Sequence, residues 1–124
     1  MIKSYPDLTP KEKRKLRGEL LKIHREKKCH YCGIEEEKFQ TIWGDKFYGS
    51  DKRGRTLEFD HIDPNKKDID LENPDLDNLV FACALCNMAK SNMFYYDEFI
   101  KVGKVINEIW QAREKSGRPP LSKK

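Results

Sequence analysis

Four cysteines stand in two C-x2-C pairs, CHYC at 29–32 and CALC at 83–86, and no fifth cysteine is left over. No other feature limits the possible folds as much. The x2 spacing lets one tight turn aim two thiolates at a single ion, and two such pairs complete a tetrahedral zinc site. Disulfides are the poorer reading for a chain expected in a reducing compartment. Cys29, Cys32, Cys83 and Cys86 are therefore expected to hold a structural Zn²⁺. Fifty residues separate the pairs, too many for a compact finger loop, so the insert must carry structure or function of its own. His30 lies inside the first pair and, with four thiolates available, is read as a bystander.

A staple of this kind suits the composition. The chain has 124 residues, 37% of them hydrophobic, with mean hydropathy −0.88. A single domain of that size and polarity buries little apolar surface, and a metal compensates. No run approaches the ~18 apolar residues of a membrane span. The opening residues contain no apolar h-region, so no signal peptide is expected, and the default compartment is the cytoplasm. The net charge of +4 is unevenly spread: residues 1–32 carry +6, residues 33–100 carry −7 and residues 101–124 carry +5. Basic ends around an acidic centre suit a protein that grips a polyanion at its flanks and holds a cation in the middle. Solvated helix faces would produce the same pattern.

Local signals divide the chain. Thr9-Pro10 followed by Glu12 is a helix start with a capping box, and Leu16, Leu20 and Ile23 recur at helical spacing. A basic amphipathic helix is expected from there to about Lys28, with His24 structural beside its apolar stripe. The stretch 33–55 mixes aromatics (Phe39, Trp43, Phe47, Tyr48) with turn residues and is read as irregular or a short hairpin. TLEFDH (56–61) is a strand, the Asp-, Asn- and Pro-rich stretch to residue 78 is a loop, and LVFAC (79–83) is a second, buried strand. The chain then enters a helix through the second Cys pair. A last amphipathic helix is expected over 96–116, with Phe99, Val102, Ile106, Ile109 and Trp110 on one face and Gly117 just past its end. Residues 118–124 read as a flexible basic tail. The expected organisation is one α+β domain, 1–117, with a core at 29–91 between a basic N-terminal helix (1–28) and the C-terminal helix.

The unusual polar residues are Asp60, His61, Asn78, Asn87 and Lys90. A β–loop–β–α unit brings their three locations together, because a hairpin delivers its first strand next to the helix that follows its second. Asp60 and Asn87 then offer two oxygens to one hard cation. His61 points to the other face of the strand, as a general base near a metal but not ligating it would.

The pattern FDHIDP … DNLVFACALCNMAKS, bracketed by the two Cys pairs, resembles the HNH nuclease family with its ββα-metal fold. The resemblance covers residues 29–91 and leaves the flanking helices aside. It implies an endonuclease that hydrolyses phosphodiester bonds in DNA, double-stranded given the basic flanks. By this resemblance His61 takes a proton from the attacking water, Asp60 and Asn87 hold a single divalent ion, and the Asn78 amide ties the loop that orients the base. The ion would stabilise the pentacovalent transition state and the departing 3′ oxygen. Many members carry His where this chain has Asn87. An amide oxygen favours Mg²⁺ or Mn²⁺ over softer metals such as Zn²⁺ or Ni²⁺.

Several neighbours admit two readings. Glu58 shares a strand face with Asp60, either as a supporting acid or as a solvated residue. Asp63 either approaches the metal or forms the turn before Pro64. Lys90 either touches phosphate or is an ordinary exposed helix lysine. Phosphate contacts are further expected from Arg14, Arg17, Lys13, Arg25 and the basic turn at 52–55 with Arg53 and Arg55. DNA is thus the expected partner, with no membrane involvement; monomer and homodimer are equally compatible. The rival reading is a non-catalytic, zinc-stapled nucleic-acid-binding module, which explains the cysteines and basic ends but not the Asp60, His61, Asn78, Asn87 set.

Overall fold

The computed structural model describes residues 1–44 and 56–121. Phe47, Tyr48 and the basic turn with Arg53 and Arg55 lie outside the described residues, as does the end of the tail. In chain order the elements are β1 (Ile2–Ser4), α1 (Pro10–Ile23), α2 (Phe39–Trp43), β2 (Glu58–His61), β3 (Asp68–Asp70), β4 (Leu79–Ala82), α3 (Ala84–Lys90) and α4 (Tyr96–Ser116), with short 3-10 turns between.

The expected hairpin forms as an antiparallel β2–β4 pair in which Asp60 faces Val80 and His61 faces Leu79 across the ladder. Its two faces have different covers. On one, Phe59 stacks on Phe81 at 5.8 Å, and Tyr5 stands edge-on to both Phe59 and His61. On the other, the carboxylate of Asp60 meets Tyr31 and α3. All four β4 residues are buried, as expected of a strand enclosed on both faces.

α1 begins with the expected capping box: the Glu12 amide donates to Thr9 Oγ1 (3.1 Å) and the Thr9 amide to Glu12 Oε1 (2.9 Å). It stops at Ile23, short of Lys28. The chain has to turn there to deliver Cys29: Lys27 adopts a positive φ of 48°, and a bridge between Lys28 and Glu35 closes the knuckle. Local propensity would have continued the helix, and the knuckle overrides it.

Three elements have no clear sequence signal. Ile2–Ser4 pairs antiparallel with Asp68–Asp70, inside the stretch expected to be a plain loop. The region after the first Cys pair forms a 3-10 turn and the short helix α2, which buries Phe39, Ile42 and Trp43. α4 spans the expected 96–116 and ends with Gly117 in the left-handed region, where the Arg118 amide donates back to the Arg113 carbonyl (3.2 Å). Its buried face centres on Phe99, Gly103 and Trp110. Ile109 is 46% exposed, correcting its place on that face: one residue before Trp110 is about 100° around the helix, at the edge of the stripe. Gly103 has a packing reason, since a Cβ there would fall 2.3 Å from the Tyr31 carbonyl oxygen. Asn107, one turn on, donates to the Cys32 carbonyl at 2.7 Å. α4 thus clamps the first Cys pair from outside.

Candidate active site and zinc centre

The four cysteine sulfurs come from the knuckle before α2 and the β4–α3 junction, and all are buried. They lie within 4.8 Å of one another, with Cys32 and Cys83 sulfurs 3.7 Å apart. A Zn–S bond of ~2.3 Å in a tetrahedron requires sulfurs about 3.8 Å apart, so the donor set fits zinc. The four thiols interact strongly with one another. Donation from Cys32, then from Cys83 and Cys86, pulls Cys29 far below the usual thiol range. Interaction with Cys29 pushes Cys83 and Cys86 far above it. A bound Zn²⁺ would favour the thiolate form of all four, since a cation stabilises the negative charge that the cluster otherwise concentrates on one sulfur. Cys83 also caps α3, its sulfur accepting from the Cys86 amide at 3.4 Å.

The zinc knuckle touches the strand end directly. Tyr31, between Cys29 and Cys32, buries its ring edge-on against Phe99 and donates its hydroxyl to Asp60 Oδ2 in a short bond. Burial, then the bond to Asp60, raises the Tyr31 pKa and keeps the phenol protonated. No sequence reading pointed to Tyr31; the available signal was an aromatic phenol fixed between two metal ligands.

Lys90 reaches the same carboxylate from α3. Its ammonium stands 3.4 Å from Asp60 Oδ2 and donates to the His61 carbonyl at 3.1 Å, and the side chain is 0% exposed. This corrects the reading of Lys90 as an ordinary exposed helix lysine: its ammonium is enclosed and bonded within the protein. At the end of a seven-residue helix that follows β4 directly, the side chain has the strand end to fill. Asp60, His61 and Lys90 are the buried polar residues among those described.

Asn87, one turn before Lys90, is half-buried and donates from Nδ2 to Glu58 Oε1 at 2.9 Å. Glu58 therefore supports Asn87 and does not simply face solvent. The bond leaves the Asn87 amide oxygen, the atom that would ligate a hard cation, free of that contact. On Asp60, Tyr31 and Lys90 both engage Oδ2, so neither takes Oδ1. The side-chain atoms left free of these contacts on Asp60 and Asn87 are oxygens, the hard donors that a divalent cation takes.

His61 is 8% exposed, and its Nε2 is buried without a hydrogen-bond partner among the described residues. Burial lowers its pKa; Asp60 opposes the shift, and Lys67 and Lys90 reinforce it. The shift favours the neutral imidazole, the form that accepts a proton. Tyr5, which sequence reading passed over, packs its ring against it.

Asn78 ties the intervening loop. Its Oδ1 accepts from the Asp63 amide (2.9 Å) and its Nδ2 donates to the Lys66 carbonyl (3.0 Å). Asp63 serves the turn, its Oδ1 accepting from the Asn65 amide at 3.0 Å.

Of the basic residues expected to meet DNA, Arg14 and Arg25 are exposed or partly so at the surface of the N-terminal segment. Lys13 is half-buried, with its ammonium 5.1 Å from the centre of the Tyr5 ring. Arg17 is half-buried: its guanidinium donates to the Leu57 carbonyl at 2.9 Å and lies over Phe59 and Phe81, covering the hairpin. A planar guanidinium stacks on aromatic faces and can be drawn inward in this way.

A hairpin feeding a helix, an acid and a histidine at the first strand's end, and oxygen donors on the helix define a protein of the ββα-metal class. The family model described as HNH endonuclease matches residues 29–93, just over half of the chain, and the chain belongs to that family. A solved structure of the rare-cutting HNH restriction endonuclease PacI, described as perturbing DNA, is 28% identical with a TM-score of 0.53. The match covers 70% of this chain and 56% of PacI, so this chain spans little more than half of that protein. No curated protein matches. Among the described residues, no helix is long and apolar enough to cross a membrane.

Proposed function

We propose that this chain is a divalent-cation-dependent endonuclease that hydrolyses phosphodiester bonds in double-stranded DNA. The observation that carries the reading is His61: a buried imidazole whose Nε2 has no hydrogen-bond partner among the described residues, at the end of the strand that also carries Asp60. A structural histidine buried to that degree would ordinarily have both nitrogens satisfied. In the proposed reaction Nε2 takes a proton from water, the water oxygen attacks phosphorus in line, and the 3′ oxygen departs. Asp60 Oδ1 and Asn87 Oδ1 would hold one Mg²⁺ or Mn²⁺, which supplies charge stabilisation to the phosphorane and the leaving oxygen. Glu58 holds Asn87, Asn78 holds the loop behind His61, and the four cysteines hold zinc away from the reacting atoms. Arg14, Arg25, Arg53 and Arg55 remain for phosphate contacts, whose strength should fall with added salt.

Supercoiled plasmid incubated with Mg²⁺ should be cut by the wild type, and His61→Ala should lose at least about 10²-fold in rate, the usual scale of a lost general base. A wild type that shifts the plasmid on a gel but never cuts it would leave the zinc-stapled binding module as the better reading. Single-stranded DNA and RNA in the same assay define the substrate class.

A further inference from the structure

We infer that Lys90 is a built-in counter-ion of Asp60, a positioning residue that keeps the DNA-free protein's affinity for a divalent cation low and couples cation capture to the arrival of phosphate. The inference rests on the nuclease reading and concerns how its cation site is loaded.

A lysine almost never becomes fully buried unless its charge is paired. Lys90 is 0% exposed and finds two acceptors at the strand end, Asp60 Oδ2 at 3.4 Å and the His61 carbonyl at 3.1 Å. The carboxylate expected to anchor a cation is thus already neutralised, and the Tyr31 hydroxyl donates to the same oxygen. A divalent ion arriving at Asp60 meets a carboxylate already paired with a buried ammonium. Like charges at such separations in a site shielded from water repel strongly. Asn87 is uncharged, and its neighbour Glu58 supplies the other carboxylate of the cluster. A DNA phosphate adds the negative charge that offsets this repulsion, so cation and phosphate bind better together than apart. The ammonium also binds the His61 backbone, so one group holds both residues of the strand end in register.

The test is calorimetric titration of MnCl₂ into zinc-loaded, DNA-free protein. Lys90→Met keeps the side-chain length and removes the charge, and it should bind Mn²⁺ at least about tenfold more tightly than the wild type. Adding Asp60→Asn to that variant should abolish the gain, which locates the ion at Asp60. Loss of a merely structural lysine would lower or leave unchanged the affinity, and either result overturns the inference. If Lys90→Met is poorly folded alone, thermal denaturation replaces titration: Mn²⁺ should raise its midpoint by more than it raises that of the wild type, and an equal or smaller rise overturns the inference. Because these measurements contain no DNA, they fail independently of the plasmid assay. A protein that shows the Lys90→Met gain yet never cuts DNA loses only the nuclease reading. One that cuts but shows no gain loses only the counter-ion.

Discussion

Asp60 illustrates how much of this site is decided one residue at a time. A carboxylate buried in a hairpin must be satisfied, and here it takes a phenol from the zinc knuckle and an ammonium from α3. Tyr31→Phe removes only the donor and keeps the ring against Phe99. Hydrogen bonds to charged groups contribute ~1.5–3 kcal/mol, so urea unfolding should show a loss of that order with zinc content unchanged. A Tyr31→Phe protein as stable as the wild type would mean that Lys90 alone satisfies the carboxylate. Asp60, His61 and Asn87 stand out in the sequence because their types are unusual at the end of a strand and the start of a helix. Tyr31 and Tyr5 do not stand out, since an aromatic residue in a small domain is ordinarily core, and only its partner reveals another use.

At the scale of elements, the hairpin, the helix that follows it and the tie across the loop form one unit. α3 has seven residues, too few to be helical in isolation. It persists because Cys83 caps it, Cys86 ties it to the zinc cluster and Lys90 ends against β2. The loop between the strands is held by Asn78, whose side chain bonds the Asp63 amide and the Lys66 carbonyl. Asn78→Ala forfeits both bonds and should cost about 1–2 kcal/mol. Hydrogen exchange at the Asp63 amide should accelerate in that variant, while the β4 amides remain protected. Unchanged exchange at Asp63 would show that the β1–β3 pair holds the loop without Asn78.

Across the whole molecule, the four-cysteine cluster that could hold zinc joins segments that the chain keeps far apart, with α4 clamping the knuckle through Gly103 and Asn107. A structural zinc contributes roughly 10–16 kcal/mol of apparent binding free energy, comparable to or larger than the ~5–15 kcal/mol stability of an ordinary domain. Stripping zinc with a strong chelator, or replacing Cys83 with Ser, should therefore unfold the chain and not merely slow catalysis. Far-ultraviolet dichroism and the fluorescence of buried Trp43 and Trp110 would report it. A zinc-free protein with native spectra would rule out the structural assignment.

By itself the sequence determined the features that depend on spacing and neighbouring chemistry. These are the four-cysteine cluster, the hairpin-to-helix order, the Thr9–Glu12 cap, the 96–116 helix and the Asp60-His61 pair on opposite strand faces. Each rests on residues a few positions apart, or on a metal that accepts thiolates wherever the chain supplies them. Only the tertiary structure decided where the long side chains end and what they touch. Lys90 turns inward to a strand 29 residues earlier, Arg17 folds onto a carbonyl 40 residues later, and Tyr31 reaches a carboxylate 29 residues away. Ile2–Ser4 found a partner in a loop that carried no strand signal. A lysine or arginine has the same local preferences in solvent as in the interior. Its direction is settled by the charges and rings that distant elements bring within reach, and that information exists only once those elements have packed.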